Sequence, residues 1–336
     1  MINMEKVGTL NTTFAGLELR NPIIAASCSL TGSATNNQKI AKAGVGAIVL
    51  KSLFEEDIVR ETASMENSLT DHAEASDYMQ AYMASHALSN YMNLIKESKR
   101  LCGETPIIAS INCNSEGEWE NFAKAIAEAG ADALELNVMS IESSVSAEDG
   151  ELERRHIAIA QTITKVVDIP VIMKLGSAMS NHVSLVSRLM ACGVKGVVLF
   201  NRMYQTDIDI DNMCYSRGAV LGTEQDFATP MRYIAITSAA VPQMSLALSG
   251  GVQSGECIIK ALLAGASAVE VCSTLYRQGD DVEGWVDAVL DKIETWQEDK
   301  GYEQVSDYVG AMNNSCDEHR DEVMRAQFLK YFGAYR

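Results

Sequence analysis

The chain has no apolar stretch approaching the roughly 20 residues that span a bilayer. Its opening, MINMEKVGTLNTTF, lacks the basic start and apolar centre of a secretory signal, so a soluble, cytoplasmic protein is expected. Basic residues are few: 27 Lys and Arg against 45 Asp and Glu give a formal net charge of −18. A polyanion such as DNA needs a basic surface, which excludes nucleic acid as a partner but leaves room for a small anionic ligand held by local lysines. The eight cysteines, at 28, 102, 113, 192, 214, 257, 272 and 316, contain no CxxC pair. A zinc or iron–sulfur centre is therefore not expected, and disulfides are not expected in a large cytosolic chain. Most cysteines read as small buried hydrophobes, with Cys28 and Cys272 placed at strand ends where they can face a pocket. There are five prolines and no low-complexity linker, so the 336 residues read as one domain spanning 1–336.

What is present is a rhythm. Eight short apolar runs alternate with helix-like stretches: 22–27, 47–52, 106–112, 133–137, 170–176, 196–201, 244–251 and 267–273. Eight strand–helix units predict a (β/α)8 barrel, a fold that gathers its chemistry at the C-terminal ends of the strands. A segment from Leu53 to about Asn90, rich in acidic and small polar residues, reads as a long insertion after strand 2, placed to cover the mouth as lids do. Residues 91–104 then read as helix 2. The apolar positions Val282, Trp285, Val286, Val289, Leu290, Ile293 and Trp296 predict an amphipathic helix 8. Residues 302–314 and 319–333 read as extra C-terminal helices outside the barrel.

Three sets of polar residues fall at strand ends. SGGVQSG (249–255) places Gly250 and Gly251 between a strand and a helix, where bare peptide N–H groups and the helix dipole suit a phosphate. Cys272, Ser273 and Thr274 close strand 8 and would complete the cradle, since barrels often hold phosphate between the loops after strands 7 and 8. Lys51 and Lys174 end strands 2 and 5, and a lysine inside an apolar run needs a partner anion. The alternatives are stabilisation of a bound anionic cofactor, a structural ion pair, or a snorkelling surface lysine. Asn112, Asn137 and Asn201 end strands 3, 4 and 6 and offer both donors and acceptors to a planar amide-bearing ring.

Together these motifs resemble the dihydroorotate dehydrogenase family of FMN barrels. LNTTFAGLELRNPIIAAS is similar to that family's opening strands and first flavin turn, AGVGAIVLKS to its strand 2 with the flavin lysine, and LALSGGVQSGECIIKALLAGASAVEVCSTLYRQG to its phosphate-binding strands 7 and 8. Residues 109–137 are similar to the flavin domain of the related dihydropyrimidine dehydrogenase. The resemblance covers almost the whole chain. It implies FMN as cofactor, with Ala26 and Ser27 at the ring, Lys51 at its pyrimidine edge assisted by Ser52, Lys174 supporting from strand 5, and Phe200 as a backbone contact. It implies Asn112 and Asn137 near the flavin, Asn137 and Asn201 at the substrate, and Gly250, Gly251, Cys272 and Ser273 at the phosphate.

The resemblance also implies Ser140 as the catalytic base, in the loop that here reads Asn137-Val138-Met139-Ser140-Ile141-Glu142. The family's Pro-Asn after the base is replaced by Ile141-Glu142, which sets a carboxylate where an asparagine would meet substrate. A serine needs a proton relay to act as base, and Glu142 is the alternative base in a different reaction. In the insertion, Met65-Glu66-Asn67-Ser68-Leu69 stands where the family carries a longer substrate-gripping loop, and Asn67 is its remnant. Arg60, His72 and Arg202 are the other candidates for holding a carboxylate. The expected activity is oxidation of dihydroorotate to orotate, or of a related dihydropyrimidine, with electrons leaving to a soluble acceptor or a partner electron-transfer subunit. A homodimer is implied by the resemblance. The alternatives are an FMN reductase of another cyclic amide or enone, and a flavin- or phosphate-binding barrel without catalysis.

Overall fold

The computed structural model describes residues 9–54, 73–112, 119–138, 141–203 and 205–315. The chain opens with a hairpin, β1 (Thr12–Phe14) and β2 (Leu17–Leu19), turning through Ala15 and Gly16 at positive φ. Then come β3 (Ile23–Ala25), helix α1 (Ala34–Lys42), β4 (Ala47–Val49) and a two-residue β5 (Leu53–Phe54). Helix α2 (Ala73–Cys102), β6 (Ile107–Asn112), α3 (Trp119–Glu128) and β7 (Ala133–Asn137) follow. Next are α4 (Glu151–Ile163), β8 (Val171–Leu175), α5 (His182–Ala191) and β9 (Gly196–Leu199). A second hairpin, β10 (Thr206–Asp209) and β11 (Cys214–Arg217), precedes α6 (Ala228–Ala240) and β12 (Ser245–Ser249). The last elements are α7 (Gly255–Ala264), β13 (Ala268–Val271), the short α8 (Ser273–Gln278) and α9 (Val282–Lys300).

Eight parallel strands pair in the order β4-β3-β13-β12-β9-β8-β7-β6, and β6 returns to β4 through Ile48↔Ile107 and Val49↔Ile108, which closes the barrel. Each of the eight apolar runs contains one of these strands. Their continuous apolar character follows from burial on both faces, helices outside and packed side chains within. Helix α3 buries Trp119, Phe122, Ala123 and Ile126, and α9 buries Trp285, Val286, Val289 and Ile293, each at the spacing of one helical face.

The bottom of the barrel is stoppered by the first hairpin. Phe14, Ala15 and Leu19 pack with the inward residues Ile24, Ala47, Val49, Ile108, Ala133, Ile172, Val198, Ala247 and Ala268. Gly196 makes room for the stopper: a Cβ there would sit 2.8 Å from Ala15 Cβ and 3.1 Å from the Phe14 ring.

The structure changes two expectations about the helices. Helix α2 begins at Ala73, so the later part of the expected insertion is helix rather than lid; residues 55–72, with Arg60, Asn67 and His72, lie outside the described residues. The stretch 53–102 has no glycine or proline, and its Ala, Met, Leu and Lys residues favour helix over loop. The expected helix over 302–314 is a single 3-10 turn, Val305–Asp307, bounded by Gly301 and Gly310 at positive φ; residues 316–336 lie outside the described residues. The 206–217 hairpin was not foreseen.

Candidate active site

The strand ends at the top of the barrel open into a cavity of about 500 Å³. Its wall includes Ala26, Ser27, Lys51, Lys174, Asn201, Gly250, Gly251, Cys272 and Ser273. Cys28, Arg202 and Thr274 line it as well, so twelve of the residues singled out from sequence are brought together.

Lys51 reaches this mouth because the chain leaves the sheet just before it. After Leu50 N donates to Ile108 O (2.9 Å), β4 stops pairing with β6, and β5 resumes at Leu53↔Ile111. The gap would strand the backbone of Ser110. Tyr91, from α2, fills it: its hydroxyl donates to Ser110 O at 2.9 Å and accepts from Ser110 N at 2.7 Å. Burial pushes the Tyr91 phenol well above its ordinary pKa, which keeps it a donor. The outward turn is held by Lys51 N on Thr31 O (3.3 Å) and Ser52 N on Ser27 Oγ (3.0 Å). Ser52 is buried, and its hydroxyl bonds Ser27 Oγ (3.0 Å) and Ser110 Oγ (2.7 Å). It therefore braces the turn and is not part of the cavity wall. The Lys51 side chain is exposed in the mouth, with no carboxylate in ion-pair contact among the described residues.

Opposite chemistry surrounds Lys174. It is 6% exposed, 2.5 Å from Glu270 Oε2 and 3.7 Å from Glu135 Oε1. Both carboxylates are buried, and sequence reading had missed them. Burial, then the charge of Glu270, holds the Glu135 carboxyl well above the usual range; Lys174 acts the other way. Among the described residues both Glu135 oxygens and Glu270 Oε1 lack a hydrogen-bond donor, and a proton on Glu135 directed at Glu270 supplies one. The ammonium of Lys174 is thus first a partner in a buried ion pair and only secondarily a free charge for a ligand. The runs ALELN and AVEVC carry the signal, a charged residue inside an apolar strand.

The glycine turn lies on the other side of the cavity. Gly250 and Gly251 have φ of 115° and 71°, which only glycine adopts without strain. A Cβ on Gly251 would come within 2.4 Å of Phe227 N. Ser273 Oγ accepts from Gly222 N (2.8 Å), and Arg277 donates to Gly222 O (2.7 Å), so the 220–222 loop forms a rim above the cradle. Arg202, a candidate for carboxylate recognition, holds that loop instead, donating to Val220 O and Ala219 O at 2.5 and 2.9 Å.

The remaining residues are near the mouth rather than on the cavity wall. Asn112, Asn137 and Lys174 are successive Cα partners across β6, β7 and β8. Asn137 accepts from Asn201 Nδ2 at 2.5 Å, so two of the three asparagines act as a pair. Phe200 is buried; its N–H donates to Ser249 O (3.0 Å), and its ring packs on His182 and Tyr233. Glu142 is exposed, with Oε1 accepting from Ser144 N (2.8 Å), and lies off the cavity wall. Ser140 lies outside the described residues.

Among the described residues no helix is long and apolar enough to cross a membrane, and no group of three or more His, Cys, Asp or Glu is arranged to hold a metal.

Comparison with known proteins agrees with this fold. The family model described as dihydroorotate dehydrogenase matches residues 9–296. A putative dihydroorotate dehydrogenase A (fumarate) of Aeropyrum pernix is 26% identical over 322 residues, covering 90% of this chain and 96% of that protein. The catalytic subunit of a dihydroorotate dehydrogenase B (NAD(+)) of Thermoplasma volcanium is 26% identical over 324 residues, covering 90% and 97%. A crystal structure of DHODH from Eimeria tenella in complex with ferulenol superposes with a TM-score of 0.61 at 15% identity, covering 90% of this chain and 88% of that one, a likeness of fold. The chain belongs to the dihydroorotate dehydrogenase family, flavin oxidoreductases that act on CH–CH bonds with FMN as cofactor.

Proposed function

We propose that this barrel oxidises dihydroorotate, or a closely related dihydropyrimidine, with FMN held in the 500 Å³ cavity and a soluble electron acceptor. The observation that carries the reading is the shared wall: Lys51, an ammonium with no ion-pair partner among the described residues, and a bare glycine turn, Gly250–Gly251, face one cavity of a size ordinary for a bound small molecule. A phosphate-bearing ring system has an anionic end and a polar planar end, and these residues suit both.

FMN, when bound, supplies hydride acceptance from a carbon of the substrate. The protein's residues do the rest. Gly250, Gly251 and Ser273 hold the phosphate. Lys51 offsets negative charge as it develops at the pyrimidine edge of the ring, with Ser27 and Ser52 fixing its turn. Asn201 and Asn137 read the substrate's amide groups. Their mutual hydrogen bond orients both side chains, leaving the other lone pair of Asn137 Oδ1 and a second Asn201 N–H for a ligand. Ser140 is the proposed base, and Asn67 a proposed substrate contact. Relatives named as fumarate and NAD(+) enzymes make either route of reoxidation reasonable, the second through a partner subunit.

The replacement of Pro-Asn by Ile141-Glu142 favours a second reading, a different cyclic amide as substrate. One experiment separates the two. The purified protein is loaded with FMN and dihydroorotate is added without oxygen. Bleaching of the yellow absorbance is the expected result. A retained spectrum with dihydroorotate, followed by bleaching with another cyclic amide, establishes the second reading. A protein that takes up no FMN removes both.

A further inference from the structure

The two cysteines flagged at strand ends meet inside the cavity. Neighbouring strands set their approach: Ala25 is the Cα partner of Val271, and Ala26 N donates to Val271 O at 2.9 Å. Cys28 and Cys272 lie just beyond these strand ends, both line the cavity and both are partly exposed, so the two thiols are neighbours on one wall. None of the chemistry proposed above uses a sulfur atom.

The two sulfurs are not equivalent. The neighbouring Cys272 thiol, joined by the N–H groups of Leu30 and Thr31 and by Tyr276, lowers the Cys28 thiol to about 6 against the opposing effect of burial. Tyr276 is fixed for this by its bond to the Ser29 hydroxyl and by accepting from Ser29 N at 3.1 Å. Cys272 is pushed the other way, by its Cys28 neighbour and by burial; Lys174 lowers it and Glu270 raises it by smaller amounts. The surroundings thus favour the thiolate at Cys28 and the protonated thiol at Cys272. A thiolate whose pKa lies near ambient pH, with a second thiol in contact, is the arrangement that thiol–disulfide exchange favours.

We propose that Cys28 and Cys272 form a thiol-modification site for low-molecular-weight disulfides, with Cys28 as the attacking sulfur and Cys272 as the resolving one. The Cys28 thiolate attacks one sulfur of the small disulfide, whose S–S bond breaks. The departing thiolate takes up a proton, and Cys28 carries the mixed disulfide. Cys272 then loses its proton and attacks the Cys28 sulfur, releasing the second small thiol. Two protein thiols are oxidised to one disulfide, and the small disulfide is reduced to two thiols.

The probe is oxidised glutathione, added to the intact protein under non-denaturing conditions and read by intact mass and peptide mapping. Wild type is expected to lose two hydrogens and yield a peptide pair joined through Cys28 and Cys272. Cys272→Ser is expected to retain one glutathione on Cys28, with the rate of capture rising with pH as Cys28 ionises. Cys28→Ser is expected to leave Cys272 unmodified, reacting at least about tenfold more slowly than Cys28 does. Exposed Cys214 is an internal control for indiscriminate reaction, since mapping reads each site separately. The proposal is overturned if wild type forms no Cys28–Cys272 bridge, or if glutathione settles on Cys272 rather than Cys28. The wild-type map decides even where a variant does not fold. Mass and mapping require no cofactor, so the outcome stands apart from the success or failure of FMN binding.

Discussion

Lys51 and Lys174 end analogous strands yet face opposite surroundings. Lys51 is exposed in the mouth, whereas Lys174 is enclosed by Glu135 and Glu270. If Lys51 provides the positive charge that a bound flavin gains on accepting electrons, Lys51→Met lowers the two-electron potential of the bound cofactor by about 30 mV or more, equivalent to about 1.4 kcal/mol. Spectroelectrochemical titration measures this, and an unchanged potential removes the role. Glu135 carries a second expectation. Its folded-state pKa is raised, so above the unfolded carboxyl's value of about 4.3 the unfolded chain releases a proton that the native protein keeps. Glu135 therefore erodes stability as pH rises from there toward its folded value. Glu135→Gln removes the erosion, so urea unfolding at pH 5 and pH 8 should favour the variant more at the higher pH. A difference constant across pH would mean that Glu135 is ionised in the native state.

At the scale of elements, the turn that delivers Lys51 depends on a side chain from a different element. Tyr91 supplies the two backbone hydrogen bonds that β4 withdraws from Ser110. Tyr91→Phe leaves a buried N–H and C=O unpaired, at a cost of about 1–3 kcal/mol. Chemical denaturation measures the loss, and weaker FMN binding should accompany it because the Lys51 turn loosens. A variant as stable as wild type would mean that water or a backbone shift replaces the hydroxyl. Such a bond could not be read from sequence. The eight strands were legible because a strand buried on both faces must be apolar along its length, as in PIIASIN and PVIMKLG. The β10–β11 hairpin was not, because TDID and CYSR are mostly exposed and carry no apolar alternation. The start of α2 was missed because acidic and small polar residues resemble a loop when composition alone is weighed.

At the scale of the molecule, sequence reading recovered the barrel and much of the cavity wall, since strand ends of a closed parallel sheet converge whatever their chemistry. It could not recover which polar groups pair with one another. The Lys174–Glu270 contact spans 96 residues, and the Asn201–Asn137 contact spans 64. Those pairings depend on register, which the runs do not encode one by one. The stopper at the bottom is a global element, because Phe14 packs against inward residues from around the barrel. Phe14→Ala should cost about 3–5 kcal/mol in global unfolding, the usual range for a buried phenylalanine. A smaller loss would show that the hairpin rests on the barrel without supporting it.

Among the described residues, a vessel corked at its base opens at the strand ends alone. If the proposed chemistry is right, the donor of electrons must leave by the same opening through which their recipient arrives, so the two take turns. Initial-rate measurements with both substrates varied should then give parallel double-reciprocal lines, the kinetic imprint of eight residues folded under the floor.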